Sequence, residues 1–367
     1  MILFLHNRYR AAGGEERAVD DLLWLVREHL GEEAELIERD SAVLGRAAAA
    51  SAMLRGGLRP DEVARAVRRT KARVVHAHNL NPTLGWRALA AAREAGARVV
   101  AHLHQFRLVC AVGTCFTEGA DCTRCHGRNT LPGVVHNCRG ARGEALVYGA
   151  ALALWQRRVA RQVDAFVVPS RFAARRLATL GAPVARAHVL GHVLRDFTPP
   201  DAAGRDGPAL VTARLAPEKG IDVAVRACRL ADVELVVAGE GPERARLAAG
   251  AGGRVRFVGR VGDGELARLR REASLALSPS RAAETFGLAA AEAMAAGLPV
   301  AGSRIGALAE LLPEDWLVPP GDAAALAEVI ERLRGDAGAG TRALERARTL
   351  TAPEVIAPTL AAIYADA

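Results

Sequence analysis

The chain has 367 residues, enough for two domains, since a single domain usually spans roughly 100–200 residues. Half of the residues are hydrophobic and a quarter are charged, which is normal for a globular enzyme. The net charge of +8 is unevenly divided: residues 1–195 contain 29 Lys and Arg against 17 Asp and Glu, and residues 196–367 contain 20 against 24. The basic first half predicts contact with an anion, such as acidic lipid headgroups or an anionic acceptor. A solvated arginine-rich surface is the alternative.

The apolar runs predict neither a targeting peptide nor a membrane span. The opening ILFL run is too short for a signal-peptide core and has no basic leader. Ala145–Trp155 is well short of the ~20 residues that cross a bilayer. We expect it to be a buried helix, or, as a second choice, a helix on a membrane surface between Arg142 and Arg157. The expected location is the cytoplasm, with peripheral membrane association as a further option.

Strand-like runs alternate with helical patterns along the whole chain, which is typical of parallel sheets covered by helices. Both halves show the alternation, so we predict two α/β domains. The stretch from Thr198 to Pro208 is rich in turn-forming residues and is the expected boundary. We therefore divide the chain into 1–197, 198–350 and a C-terminal helix at 351–367 that packs on the first domain.

The residues that follow the strands are the first candidates for ligand binding, because open α/β sheets bind ligands beyond the carboxyl ends of their strands. Gly13 and Gly14 follow the first strand and precede a helix, so backbone can approach a ligand there. A tight turn without a ligand is the alternative.

Two histidine-bearing strands follow. His104 ends the run RVVAHLH and is predicted to face a ligand, whereas His102 lies deeper and is expected to support the core. His78 and Asn79 end RVVHAHN and line the acceptor side, or else form a polar strand end in water.

Five of the six cysteines lie in a stretch at 105–140 with little apolar periodicity. Cys122 and Cys125 have the C-x2-C spacing of a zinc site, and Cys110 and Cys138 would complete four ligands. Possible replacements are Cys115, His126 and His136. We predict a structural zinc ion, with unligated thiols and disulfides as alternatives. Cys228 is expected to be an ordinary buried thiol.

In the second half, Arg214 and Lys219 follow the first strand and are placed to bind a diphosphate, although such a pair is often only a solvated loop. The most informative stretch is residues 278–306. Glu284 lies in a loop before a helix that contains Glu292, and amides near Phe286, Gly287 and Leu288 would face an anion. A phosphate beside two carboxylates fits a ligand with sugar or ribose hydroxyls.

The segments ARLAPEKGID, VVAGEGPERARL, VRFVGRV and ETFGLAAAEAMAAGLPV, in this order, resemble family 4 of the retaining glycosyltransferases. That resemblance implies a GT-B fold, with two facing Rossmann-like domains and an active site in the cleft between them. Some members also carry a cysteine-bearing insertion after a stretch like His104 to Cys110.

The resemblance also implies roles for individual residues. Arg214 and Lys219 would bind the donor diphosphate, Glu284 the transferred sugar and Glu292 the ribose. His104 would lie beside the reacting sugar, and the loop with Gly13 and Gly14 would face the donor phosphates. Backbone amides would come from the segment Thr285, Phe286, Gly287 and Leu288.

The implied reaction moves a sugar from a UDP- or GDP-sugar to a hydroxyl of a glycan, a lipid-linked sugar or a small molecule. Attack is from the front face, the departing phosphate accepts the proton, and no catalytic cofactor is needed. A non-catalytic nucleotide-sugar binder and a GT-B epimerase are alternatives. A dehydrogenase is disfavoured because no strand is followed by G-x-G-x-x-G. A nucleic-acid binder would leave Glu284 and Glu292 without a purpose.

Overall fold

The computed structural model describes residues 1–9, 13–184, 186–199 and 206–366. These form two compact units. The first comprises Met1–Thr117, Cys122–Val193 and Pro353–Ala367, and the second comprises Glu118–Asp121 and Leu194–Ala352. Part of the expected boundary, residues 200–205, lies outside the described residues, as do residues 10–12 of the glycine loop.

The first unit contains a six-stranded parallel sheet with the order β2-β1-β3-β4-β7-β8. Its strands are β1 (Ile2–Arg8), β2 (Ala34–Asp40), β3 (Val74–Ala77), β4 (Arg98–His102), β7 (Ala165–Val168) and β8 (Ala187–Val189). Its helices are α1 (Gly14–His29), α2 (Arg46–Leu54), α3 (Pro60–Thr70), α4 (Gly85–Glu94), α5 (Leu131–Val135), α6 (Arg142–Gln162), α7 (Arg171–Thr179) and α15 (Pro353–Asp366). Between β4 and α5 lie two short strands, β5 (Phe116–Thr117) and β6 (Ala120–Asp121).

Apolar strands buried on both faces explain this layering. In β1 the alternate residues Ile2 and Phe4 belong to one core cluster, and Leu3 and Leu5 belong to another. Successive side chains of a strand point to opposite faces, so a continuously apolar run needs helices on both sides. One face is covered by α1 and α15, and the other by α3 and α4.

The second unit repeats the design with the order β11-β10-β9-β12-β13-β14. Its strands are β9 (Ala209–Thr212), β10 (Leu235–Ala238), β11 (Val255–Gly259), β12 (Leu275–Ser278), β13 (Val300–Ser303) and β14 (Leu317–Val318). Its helices are α8 (Ile221–Leu230), α9 (Arg244–Ala251), α10 (Asp263–Glu272), α11 (Leu288–Ala295), α12 (Leu308–Leu311), α13 (Ala323–Gly335) and α14 (Ala339–Thr351). The predicted pair of parallel Rossmann-like α/β domains is confirmed.

The last helix, α15, belongs to the first unit although it follows the second in sequence. It packs against α1 and buries Ile356, Leu360, Ile363 and Tyr364. The Tyr364 hydroxyl lies 2.8 Å from Nδ1 of the buried His76. The C-terminal segment therefore completes one face of the first sheet.

Helix α6 differs from the prediction of a buried helix at 145–155. It buries Ala145, Tyr148 and Ala151 but leaves Leu146 and Leu154 more than half exposed. The apolar residues occur too evenly around the helix to lie on one face, so the core covers only part of them. Among the described residues, no helix combines the length and the apolar character needed to cross a membrane.

Candidate functional site

Each sheet has a topological switch point, where neighbouring strands connect outward in opposite directions. In the first unit it lies between β1 and β3, and in the second between β9 and β12. Ligands of open α/β sheets bind beyond the carboxyl ends of strands at such points. The residues predicted from the sequence follow these four strands or their neighbour β4.

The loop after β1 is held by two glutamates at the start of α1. Glu16 accepts hydrogen bonds from the amides of Gly13 (2.7 Å) and Tyr9 (3.0 Å). Burial would raise the pKa of Glu16, but the nearby His6 ring, whose Nε2 lies 3.8 Å away, and the hydrogen bonds from these amides outweigh it and lower the pKa to about 2. Glu15 accepts the Tyr9 hydroxyl at 2.7 Å, and burial raises its pKa. The Gly13 amide thus faces a carboxylate of its own helix.

The ends of β3 and β4 carry a cluster of buried histidine rings. His76 and His78 lie on one face of β3, and His102 and His104 share that face on β4. The ring centroids of His102 and His104 are 4.1 Å apart, and those of His76 and His78 are 4.5 Å apart. The cluster extends to His6 and His192, and all six rings are at most 8% exposed.

One hydrogen bond links the two histidines that the sequence assigned to the ligand. His78 Nδ1 lies 2.8 Å from His104 Nε2. One of these nitrogens must donate and the other accept, so the bond couples the tautomers of the rings. Neither His78 nor Asn79 forms a polar end facing water. Asn79 instead donates to the carbonyl oxygens of Asn7 and Asn81, which gives it a structural role.

Burial lowers the pKa of five rings of the histidine cluster and so keeps them neutral. It lowers the pKa of His76 to about 3 and that of His192 to about 4. Burial, together with neighbouring imidazoles, holds the pKa values of His78, His102 and His104 well below the usual value. A neutral ring can donate or accept a hydrogen bond to a sugar hydroxyl, but it carries no charge to an anion.

His76, His78 and His102 bring ligand nitrogens within 4.8 Å of one another, which raises the question of a metal. Their rings are nearly parallel, with interplanar angles of 27°, 6° and 29°. Metal-binding imidazoles must instead direct their nitrogens to one point about 2.0–2.1 Å away. His76 Nδ1 is already hydrogen-bonded to the Tyr364 hydroxyl, and His78 Nδ1 to His104 Nε2. We interpret the group as a packed stack of neutral rings.

Beside the stack lies a cavity of about 110 Å³, which is lined by parts of both histidine strands. His78, His102 and His104 form one wall, and Trp86 and Trp155 form an aromatic wall. Glu15 and Arg107 contribute charge. Ligand sites commonly combine an apolar lining with a few convergent polar groups. This cavity is the candidate acceptor pocket of the first unit.

In the second unit, the predicted Lys219 and Glu284 form a close ion pair. Lys219 Nζ donates to Glu284 Oε1 at 2.6 Å, and the Ser280 hydroxyl donates to the same oxygen at 2.6 Å. Burial alone would raise the pKa of Glu284, but the ammonium group and the two hydrogen bonds lower it. The glutamate is therefore an ionised acceptor beside a cation.

The other two charged candidates have separate partners. Arg214 pairs with Glu218 and is 57% exposed, so its guanidinium can turn toward a ligand. Glu292 accepts from Arg270 at 2.6 Å, and both side chains are largely buried. The structure thus joins Lys219 with Glu284 directly and places Arg214 and Glu292 in pairs of their own.

Two glycines hold the loops that carry this ion pair. A Cβ on Gly220 would lie 2.1 Å from the carbonyl oxygen of Pro279, and one on Gly306 would lie 2.5 Å from the backbone of Glu284. Both have positive φ, which side-chain-bearing residues rarely adopt. Only glycine permits this close approach of the loops after β9, β12 and β13.

The predicted amide segment lies directly before α11. Gly287 adopts a left-handed conformation with φ 95° and caps the helix that begins at Leu288. The Phe286 side chain belongs to the core, so only its backbone can serve a ligand. The first-turn amides of α11 and the helix dipole make this end favourable for an anion.

The five clustered cysteines also meet in space. Cys110, Cys115, Cys122, Cys125 and Cys138 line one small cavity, and all are free thiols. A hydrogen bond from Cys115, followed by backbone amides, lowers the pKa of Cys110 to about 6 although burial raises it. Cys228 is buried in α8, where burial raises its pKa to about 12. Neither His126 nor His136 lines the cavity.

Several residues of the candidate sites were not predicted from the sequence. Ser280 and Arg270 lie beside the predicted glutamates, and Glu15, Glu16 and Tyr9 shape the first loop. The signal that could have revealed the histidine stack is the alternation of histidine in HAH and HLH. Each pair shares a face, and parallel neighbouring strands place the pairs side by side.

Comparison with known proteins supplies relatives for both units. Residues 10–192 match the model of the glycosyl transferase 4-like domain, and residues 208–336 match that of the glycosyl transferases group 1. A phosphatidyl-myo-inositol mannosyltransferase of Mycobacterium leprae is 40% identical over 112 residues, which is 29% of this chain and 30% of that protein.

A GDP-mannose-dependent alpha-(1-6)-phosphatidylinositol dimannoside mannosyltransferase of Mycobacterium tuberculosis is 35% identical over 174 residues, or 43% of this chain and 45% of that protein. The matches thus span 30% and 45% of the length of these two relatives. Anabaena Alr3699/HepE, solved with UDP and glucose, aligns with 100% of this chain and 99% of its own at a TM-score of 0.66 and 18% identity.

Proposed function

The chain belongs to the glycosyltransferases that join a glycosyl transferase 4-like domain to a group 1 domain, and we propose that it transfers a sugar from a nucleoside-diphosphate sugar to an acceptor hydroxyl. The two matched domains together cover most of the chain. The donor would be a UDP- or GDP-sugar, held by the second unit, and the first unit would hold the acceptor.

The observation that carries this proposal is the contact of Lys219 and Ser280 with Glu284 beside the start of α11. A nucleoside-diphosphate sugar presents hydroxyls next to a diphosphate. An ionised glutamate accepts hydrogen bonds from the hydroxyls, while an ammonium group and helix amides bind phosphate. Glu284 and Lys219 lie close enough to bind the two sides of the bond that breaks.

The reaction proposed is a transfer with retention of the anomeric configuration. The acceptor oxygen forms a bond to the anomeric carbon as the bond from that carbon to the phosphate oxygen breaks, and the departing phosphate takes the acceptor's proton. Lys219 and Arg214 stabilise the charge that develops on the leaving diphosphate. Glu292 binds the ribose, and His104 orients the reacting sugar through its neutral ring.

The acceptor proposal rests on the cavity beside the histidine stack. Its volume of about 110 Å³ and its aromatic wall suit a ring-shaped polyol, and neutral imidazoles suit hydroxyl groups. Two relatives act, by their names, on phosphatidylinositol lipids. We propose an acceptor of the same general kind, a polyol or a sugar in a glycan, a lipid or a small molecule.

A peripheral contact with an anionic membrane also belongs to the proposal. Four apolar side chains on α5 and α6 are more than half exposed, namely Leu131, Val135, Leu146 and Leu154. Arg142, Arg157 and Arg161 on α6 are exposed too. Apolar side chains next to arginines favour an interface with acidic headgroups. Sedimentation with anionic vesicles, compared with neutral ones, measures it; equal binding to both would contradict it.

The first experiment is a thermal-shift screen against UDP, GDP, ADP, TDP and their sugars, with NAD as the control. A millimolar ligand with a Kd of about 10 µM should add about 2.7 kcal/mol to the unfolding free energy. We expect one nucleoside diphosphate to stabilise the chain and Lys219→Ala to lose the effect. Stabilisation by NAD alone, or by no nucleotide, would contradict the donor proposal.

Product analysis separates transfer from the alternatives. With the stabilising donor and a polyol acceptor, we expect a new α- or β-glycoside with the anomeric configuration of the donor. Binding without any product would favour a nucleotide-sugar binder, and an epimerised donor would favour an epimerase.

A further inference from the structure

The cysteine loop has no part in the proposed transfer, yet it is built around its own cavity. The volume of that cavity is about 10 Å³, enough for one water molecule or one ion. Its lining contains the five sulfur-bearing residues Cys110, Cys115, Cys122, Cys125 and Cys138. They come from positions spread over 29 residues, so the loop folds back on itself to collect them.

Apolar packing explains only some of these thiols: Cys110 and Cys115 belong to a buried apolar cluster of the first unit, but Cys122 and Cys138 do not. Cys228 is an example of a cysteine that only packs, because it is buried in the large apolar core cluster of the second unit. In the cysteine loop, Cys122 and Cys138 are only half-buried, and Cys138 Sγ donates a hydrogen bond to the Thr117 hydroxyl at 3.5 Å. A half-exposed thiol contributes little apolar burial, so packing does not account for the presence of Cys122 and Cys138 in the same cavity.

The backbone of the loop is also shaped to bring sulfur atoms inward. Between β4 and α6 the regular structure amounts to β5, β6 and the five-residue α5. Cys115 and Asn137 have positive φ values of 50° and 49°, which side-chain-bearing residues seldom adopt. The Gly113 amide donates to Cys110 Sγ at 3.3 Å, an outer-shell contact of the kind that orients metal ligands. A long loop with so little regular structure is uncommon in a compact domain, and a bound metal ion is one means of holding it.

We propose that this cavity binds one zinc ion through Cys110, Cys122, Cys125 and Cys138, and that the ion holds the loop in place. Zinc is the metal that tetrahedral thiolate sites favour. Cys122 and Cys125 supply the C-x2-C pair, and the other two ligands enter from the two ends of the loop. Cys115 is the fifth sulfur in the lining. The four thiols release their protons to solvent on binding. Arg139, which donates to the carbonyl oxygen of the cavity residue Ala111, offsets part of the resulting negative charge.

Binding should tighten the loop. Zn–S bonds of about 2.3 Å place ligand sulfurs about 3.8 Å apart. Among the described residues, the group with ligand atoms within 4.8 Å is formed by histidines, so the sulfurs are spaced more widely than in a loaded site. Zinc must therefore draw them inward, and the loop between β4 and α6 should become more resistant to protease.

The test starts with elemental analysis of the reduced, purified chain. We expect about one zinc ion per chain, lost in Cys122→Ser/Cys125→Ser and kept in Cys228→Ser, the matched control for a thiol outside the loop. Cys115→Ser should also keep the metal, which separates the fifth sulfur from the four ligands. Cobalt loading should give the absorption of thiolate-to-cobalt charge transfer.

Measurements on the unmodified chain keep the proposal falsifiable if the double variant does not fold. Zinc should protect four thiols from a maleimide reagent, and a mercurial should release the ion and expose them together. A chain that binds no zinc from a micromolar solution, with protease resistance unchanged, would overturn the proposal. A disulfide among the five, found by non-reducing mass spectrometry of freshly lysed cells, would overturn it as well.

Discussion

The first unit places neutral histidine rings at the ends of its strands, whereas the second places ion pairs at the ends of its strands. All ten histidines of the chain lie in residues 1–195, and none lies in the second half. At the ends of β3 and β4 the first unit buries imidazole rings without charge, whereas after β9 and β12 the second unit pairs Lys219 with Glu284. Both solutions avoid an isolated buried charge, which is strongly unfavourable.

The difference matches the two halves of the proposed substrate pair. A diphosphate needs positive charge and can compete with a carboxylate for a lysine. An acceptor hydroxyl is uncharged and needs neutral groups that can form hydrogen bonds with it. The uncharged histidines of the first unit and the Lys219–Glu284 ion pair of the second thus indicate different ligand chemistry for the two units.

The largest expected effect comes from breaking the ion pair of the second unit. Glu284→Gln keeps the shape of the side chain but removes the charge opposite Lys219. Because pre-positioned charge stabilises the transition state, kcat should fall about 10²–10³-fold, and Lys219→Ala should have an effect of the same order. Steady-state kinetics with the donor found by thermal shift measures both.

Arg268→Ala is the control for this prediction. It breaks exposed ion pairs with Glu265 and Glu272 on α10, neither of which is a candidate-site residue. It should leave kcat unchanged. Near-normal transfer by either Glu284→Gln or Lys219→Ala would show that the donor assignment is wrong.

Acid should destabilise the first unit before the second. The pKa values of about 3 for His76 and about 4 for His192 lie below the usual 6.5. Above pH 6.5 their contribution to the unfolding free energy is constant. At lower pH the unfolded chain binds protons that the fold does not, so stability falls by up to about 1.4 kcal/mol per pH unit for each histidine.

The second unit should respond only at lower pH. Its Glu284 has a pKa lowered from 4.5, so its contribution is lost below that value. Hydrogen exchange at pH 7 and pH 5 measures the two units separately. Protection lost at pH 5 in the second unit, with the first unchanged, would reverse the comparison.

The smallest expected effect concerns the hydrogen bond between His78 and His104. His78→Phe keeps a ring in the stack and removes the partner of His104 Nε2. A hydrogen bond contributes about 0.5–1.5 kcal/mol, so kcat should fall about 3–10-fold while donor binding stays unchanged. Transfer kinetics and the nucleotide thermal shift measure the two quantities. His29→Phe, at an exposed position of α1, should change neither; weaker donor binding in His78→Phe would contradict a positioning role.

The sequence predicted the parallel sheets and placed Lys219 and Glu284 after strands of the second unit, because both follow from local patterns and from the rule for strand ends. It did not predict the direct contact between the two side chains. It did not predict that Glu292 pairs with Arg270 or that Ser280 binds Glu284. Those contacts depend on how helices and loops are placed over the sheet, which periodicity does not encode. The histidine stack depends on register between β3 and β4, and a single strand does not reveal register.

Because α15 completes the first unit, the nascent chain cannot finish folding that unit when its other residues have been synthesised. About 160 residues separate Val193 from Pro353, and translation at roughly 5–20 residues per second needs about 10–30 s to cross them. During that time the face of the sheet that Tyr364 later covers is exposed on the ribosome. The final folding step of the first unit can therefore occur only after α15 has been synthesised and has emerged from the ribosome.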